Sequence, residues 1–122
     1  MKVEYLFMQE PSRSDLLRQG CAVYGDELFQ FYTYNQLIDV FSMHSGQRLF
    51  SIEGFRNIYH HCNNIDFSNT FLNEGDRYPL LYVSMDDAEE NKAIVYHISE
   101  DVDGRMFLEV VQTIEYPDEV KG

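Results

Sequence analysis

Leu37-Ile38-Asp39-Val40-Phe41-Ser42-Met43-His44-Ser45-Gly46-Gln47-Arg48-Leu49-Phe50-Ser51-Ile52-Glu53 is two short apolar runs, rich in β-branched and aromatic residues, on either side of a Ser-Gly turn signal. Runs of this length and composition bounded by turn residues predict consecutive antiparallel strands. The same rhythm extends outward. Upstream, residues 20–24 and 27–34 flank a turn at Gly25-Asp26, and Asn35-Gln36 leads into the strand at 37–43, which the turn at Ser45-Gly46 separates from 48–53. Downstream, residues 62–67, 80–85, 93–99 and 107–115 form a second set of four, with longer polar connections at 69–79 and 86–92 and a tight-turn dipeptide at Asp103-Gly104. Only 15–18 could form even one turn of helix, so the expected class is all-β, built from two four-stranded antiparallel meanders. The expected organisation is an N-terminal strand and polar connector at 1–19, a first meander at 20–54, a second at 55–117 and a tail at 118–122.

The two sets are a degenerate repeat. Val40-Phe41-Ser42-Met43 leading to Gly46 parallels Val95-Tyr96-His97-Ile98 leading to Gly104, with the aligned valines 55 positions apart. That spacing is a little beyond the about 40 to 50 residues of many blade repeats, and the longer connections of the second set account for the excess.

The stretch from Ile38 to Gly54, with its apolar pair before an aromatic and its Ser-Gly turn, resembles the outer half of a WD-type or related β-propeller blade. In the second set, His61 and Phe67-Ser68 resemble the inner strand of such a blade, and Leu80-Leu81-Tyr82-Val83-Ser84 the strand after it. The chain lacks both the Trp-Asp dipeptide and the Gly-His pair, so the resemblance is to the generic blade. It implies that the innermost strands, at Gly20-Cys21-Ala22 and His61-Cys62-Asn63, occupy equivalent places lining a channel. Two blades alone would leave two apolar faces uncovered, so this reading also implies self-association or missing blades. The alternative is a small β-sandwich in which the meanders cover each other within one chain.

Composition narrows the partners. The 122 residues carry 21 acidic against nine basic side chains, a net charge of −12, which repels a phosphate backbone and argues against nucleic acid. The acids gather at Asp86, Asp87, Glu89 and Glu90 and at Glu100, Asp101 and Asp103, where they read as solvated loop charges. No run approaches the ~20 apolar residues of a membrane span, and residues 1–9 lack the pattern of a signal peptide, so a soluble chain without membrane insertion is expected. Cys21 and Cys62 are too few for a disulfide framework, although a bond between them is conceivable if the inner strands are adjacent.

The densest group of chemically capable side chains is Tyr59, His60, His61, Cys62, Asn63, Asn64 and Asp66, which form the expected binding surface. Strand alternation puts His60, Cys62 and Asn64 on one side, which His61, Asn63 and Asp66 cannot all join. His44 and His97 look isolated, so neither a metal site nor any other cofactor is expected. Asp101-Val102-Asp103-Gly104 reads as a charged hairpin turn, because the further ligands of a calcium loop are missing. There is no Gly-x-Ser-x-Gly elbow, so the sequence names no catalytic residue. Phe29 and Phe31 alternate with Tyr32 and Tyr34 as core aromatics do, while Tyr59 and Tyr78 sit in connections where an aromatic can meet a ligand. The expected function is a non-catalytic binding or scaffold module for a protein surface or a glycan. The alternatives are a hydrolase or lyase with His60 or His61 at a channel mouth, or a fragment of a larger propeller.

Overall fold

The structure is a computed structural model that describes residues 18–32, 37–53, 62–86 and 91–115. Eight strands run in order: β1 (Arg18–Tyr24), β2 (Glu27–Tyr32), β3 (Leu37–Ser42), β4 (Arg48–Glu53), β5 (Cys62–Phe67), β6 (Leu81–Asp86), β7 (Asn91–Glu100) and β8 (Met106–Glu115). The eight strands expected in the two meanders are present, the N-terminal strand expected before them lies outside the described residues, and the described residues contain no helix. Turn chemistry sets the hairpins: Gly25, Gly46 and Gly104 have φ of 59°, 74° and 82°, left-handed values that L side chains rarely adopt. At the last of these turns Asp101 Oδ1 accepts hydrogen bonds from the backbone N–H of Asp103 and of Arg105, both at 2.9 Å, so this acidic loop is the charged hairpin turn expected.

Each set of four is an antiparallel meander, and the two are joined at one parallel pairing, Glu53 with Phe107, giving the strand order β1-β2-β3-β4-β8-β7-β6-β5. At the far side β1 and β5 come together. Gly20 makes that approach possible: a Cβ there would lie 3.0 Å from both Cα and Oδ1 of Asn64 and 3.1 Å from the backbone N of Ile65. Between the meanders is a single core of Ala22, Phe29, Phe31, Ile38, Val40 and Ile52 from the first, packed on Ile65, Leu81, Val83, Ile94, Tyr96, Ile98, Met106 and Leu108 from the second. Removing this apolar area from water is the main stabilising contribution.

The connection at 68–80 closes one end of the core. Tyr78 is buried, with its ring edge-on to Phe29 and Tyr24 at 5.2 and 5.9 Å, and its hydroxyl donates to Glu27 Oε1 at 2.6 Å. Burial and the Glu27 carboxylate push the Tyr78 phenol well above its ordinary value. Arg77 donates to Glu27 Oε2 at 3.2 Å and lies over the rings of Phe50 and Tyr78. Tyr78 is therefore a strut between the meanders and not the ligand-facing aromatic its place in a connection suggested.

Four bulges interrupt the ladders, between Arg18 and Gly20, Val40 and Phe41, Cys62 and Asn64, and Val95 and Tyr96. An extra residue in one strand bends it and reverses the parity of everything beyond. In β8, Tyr96 pairs with Val110 but Val95 with Gln112, so Val111 is the extra residue. Leu108 therefore points into the core while Ile114, six positions on, points outward.

The registers also allow the two meanders to be matched row by row. Across the first meander run the rows Gly20-Phe31-Ile38-Ile52 and Ala22-Phe29-Val40-Phe50. The displacement that brings Val40 onto Val95 maps them onto Asn64-Ser84-Ala93-Ile114 and Asp66-Tyr82-Val95-Gln112. The first pair of rows faces the core, and its counterpart faces away from it. Positions matched in this way therefore face in the same direction. Within this register Gly20 corresponds to Asn64 and Cys21 to Ile65, so the two cysteines do not occupy equivalent places.

Candidate functional site

The second meander's outward face carries two of the residues expected to bind, Asn64 and Asp66. Asn64 and Asp66, two apart on β5, point to the same exposed side, and pairing places Ser84 beside Asn64 and Tyr82 beside Asp66. With Ala93 and Ile114 from the next two strands they line an open groove of about 280 Å³, with Ile65 contributing at its edge. Its floor is apolar: Tyr82 leaves 43% of its surface exposed above the buried Val95, and Ile114 leaves 39%. The polar atoms sit to one side, as a carboxylate, an amide and a hydroxyl. An aromatic face flanked by a few hydrogen-bonding groups suits a flat amphipathic ligand.

Of the residues expected here, Asn64 and Asp66 are brought together, and Asp66 joins the Asn64 side as its even spacing requires. Tyr59, His60 and His61 lie outside the described residues. Cys62 and Asn63 are placed in β5 by their backbone, but their side chains are outside the described set. Cys21 carries a free, exposed thiol on β1. Tyr82, Ser84, Ala93 and Ile114 were not anticipated. The first three stand at register positions that match Phe29, Phe31 and Ile38 of the first meander. The bulge at Val111, which turns Ile114 outward, leaves no mark in composition or spacing.

A second polar group was also missed. His97, expected to be isolated, is buried, with Nε2 3.0 Å from Asp76 Oδ2 and Nδ1 2.8 Å from Ser99 Oγ and 3.4 Å from Glu109 Oε1. The Ser99 hydroxyl donates to the same Glu109 carboxylate. His44 is likewise not alone, lying 3.4 Å from Asp26 on the exposed first hairpins. Asp76 and Glu109 sit on opposite ring nitrogens of His97, so they cannot close on one cation, and among the described residues no group of three acidic, histidine or cysteine side chains is arranged to hold a metal. The cluster instead ties the 68–80 connection to β7 and β8.

Its carboxyls carry a pH signature. The Asn73 backbone N–H, and secondarily His97, hold Asp76 below its ordinary value, and the Ser99 hydroxyl with His97 does the same for Glu109. Groups lowered in the folded state stabilise it above their unfolded values of about 4, and that contribution disappears as pH falls through the lower folded values. An Asp76→Asn, Glu109→Gln variant is therefore expected to lose less stability between about pH 5 and about pH 2 than the parent. Denaturant midpoints across that range check this, and parallel curves for the two proteins would refute it.

Comparison with family models, curated proteins and solved structures finds no match to this chain. No helix among the described residues is long and apolar enough to cross a membrane.

Proposed function

We propose that this chain is a non-catalytic binding or scaffold module of β-propeller type whose ligand, a protein surface or a glycan, lies on the outward face of the second meander. The observation that carries the reading is the register equivalence. The rows that pack Gly20, Ala22, Phe29, Phe31, Ile38 and Ile52 against a neighbouring meander recur as Asn64, Asp66, Tyr82, Ser84, Ala93 and Ile114 on a surface with no described residue packed over it. A face built to receive a neighbour has kept its tyrosine, alanine and isoleucine and gained an amide, a carboxylate and a hydroxyl, which adapt it to water and to a polar ligand.

The propeller part of the proposal draws support from the sense of the faces. In a stack of blades, matching surfaces point the same way around the ring, whereas two sheets related by a local two-fold turn matching surfaces toward each other. The outward side of the first meander is different: Tyr32, Leu37, Asp39 and Phe41 are buried there. One open face rather than two favours a single partner seated on the second meander over a ring that grows from both ends.

Tyr82 is the aromatic anchor. A panel of neutral mono- and disaccharides and of extended peptides, followed by amide chemical shifts, should give perturbations centred on β5 and β6. Tyr82→Ala is expected to weaken the binding about tenfold or more, or about 1.4 kcal/mol, while the thermal midpoint moves little because the ring is half exposed. Binding that survives Tyr82→Ala unchanged would remove the groove from the account.

A further inference from the structure

The groove on the outward face of the second meander carries a net charge. Its lining includes one carboxylate, Asp66, and no lysine, arginine or histidine. Asp66 is exposed, and among the described residues no hydrogen bond or ion pair reaches its side chain. Register pairs it directly with Tyr82, so carboxylate and ring rise from the same face with Cβ atoms about 4.5–5.5 Å apart. Both are open to a ligand, since Tyr82 is exposed as well. A neutral ligand seated over this pair takes the Asp66 charge out of water with nothing to answer it. An anion is repelled by Asp66 and by a chain of net charge −12. A cation gains from the carboxylate and from the negative face of the ring together. The chain itself shows the arrangement at another place. Arg77 donates to Glu27 Oε2 at 3.2 Å while its guanidinium carbon lies 5.0 Å from the Tyr78 ring centroid and 5.5 Å from that of Phe50.

We propose that the groove takes the side chain of an exposed arginine of a partner protein, its guanidinium stacked on Tyr82 and hydrogen-bonded to Asp66. Arginine fits better than lysine because the guanidinium is planar and weakly hydrated, and because it donates in a fork that a carboxylate accepts two bonds at a time. Its methylene stem would lie along Ala93 and Ile114, and the Ser84 hydroxyl oxygen offers a further acceptor. A second copy of this chain is not the occupant, because two chains of net charge −12 repel one another. The inference rests on the reading of this groove as a binding surface and deepens it, choosing protein over glycan and naming the group recognised.

The test uses the whole chain with a short, terminally blocked peptide carrying a single arginine among serines and glycines. Two counterparts replace that arginine with lysine or with citrulline, which keeps the shape and planarity without the charge. Amide shifts are followed at about 0.05 M and about 0.5 M salt. The expected result is shifts centred on Asp66, Tyr82 and Ile114, with the arginine peptide bound about fivefold more tightly than the citrulline peptide at the lower salt and the lysine peptide between them. The gap should narrow at the higher salt. Asp66→Asn, which keeps the size of the side chain, should bring the arginine peptide down to the citrulline level at unchanged thermal midpoint, whereas Asp103→Asn at the acidic hairpin turn should leave binding as it was. Equal binding of the arginine and citrulline peptides would overturn the inference, as would shifts spread over residues 100–105 and indifferent to Asp66→Asn. A lysine peptide that matches the arginine one would leave point charge alone and refute the guanidinium. Saccharides that shift β5 and β6 where the arginine peptide does not would retain the groove as a binding surface but refute the arginine, and a groove that no probe shifts would remove both. Groove shifts that grow with protein concentration in the absence of peptide would make a second copy the occupant and refute the partner proposed.

Discussion

Truncating Phe29 to alanine is expected to destabilise the fold by about 3–5 kcal/mol, the range for an aromatic removed from a packed core. Phe29 is fully buried, and its ring meets Phe67 at 4.8 Å and Tyr78 at 5.2 Å, both edge-on. The loss combines the transfer free energy of the ring with a cavity that its neighbours are poorly placed to fill. Tyr78 is tethered through its hydroxyl to Glu27, and Phe67 ends a strand held by β6. Because the hole would open between the two meanders, a single cooperative transition shifted to lower denaturant is the expected outcome. A domain of this size has about 5–15 kcal/mol in total, so the variant should be partly unfolded at modest temperature. A loss below about 1 kcal/mol would mean that the two meanders do not share the core described.

Gly20→Val is the second large effect, with an expected cost of about 1–3 kcal/mol from overpacking. The atoms a Cβ would crowd are Cα and Oδ1 of Asn64 and the backbone N of Ile65, at 3.0 to 3.1 Å. A flexible side-chain tip could swing aside, but Cα and the backbone N belong to a strand fixed by its ladder to β6, so β1 and β5 must separate. Val also brings two γ-methyls to the crowded point. The strain falls on Asn64, which lines the groove, so under the proposed function the variant should weaken ligand binding as well as lower the melting midpoint. Gly20→Ala should show the same two effects in smaller measure. An unchanged midpoint for Gly20→Val would contradict the close approach of β1 and β5.

The two predictions concern one feature, the contact between meanders, and it is there that sequence and tertiary structure divide the account. The eight strands could be read from the chain because their determinants are local: β-branched and aromatic runs six to ten residues long, separated at several turns by glycines whose positive φ only a turn requires. Phe29 and Phe31 opposite Tyr32 could be assigned to two faces by parity alone. The candidate groove was partly legible. Asn64 and Asp66 stood out because amides and carboxylates crowd the start of β5, although the sequence reading had grouped Asp66 with His61 and Asn63 and not with Asn64.

The rest depended on contacts between residues far apart in the chain. His97 looked solitary because its partners Asp76, Ser99 and Glu109 come from a connection and two strands, and no spacing rule links a loop acid to a strand histidine across a sheet. Tyr78 looked like a ligand contact because connections usually run on the surface, and only the packing of 68–80 over the core buries it. Ile114 faces the groove because one extra residue at Val111 reverses parity, and a bulge is decided by how a strand must bend to keep its pairing, not by the identity of the valine. The chain's own residues determined that it would form two meanders of matched pattern. Which face of each would be covered, and which left exposed, was settled only when Gly20 let β1 come down onto β5 and a single core formed between them.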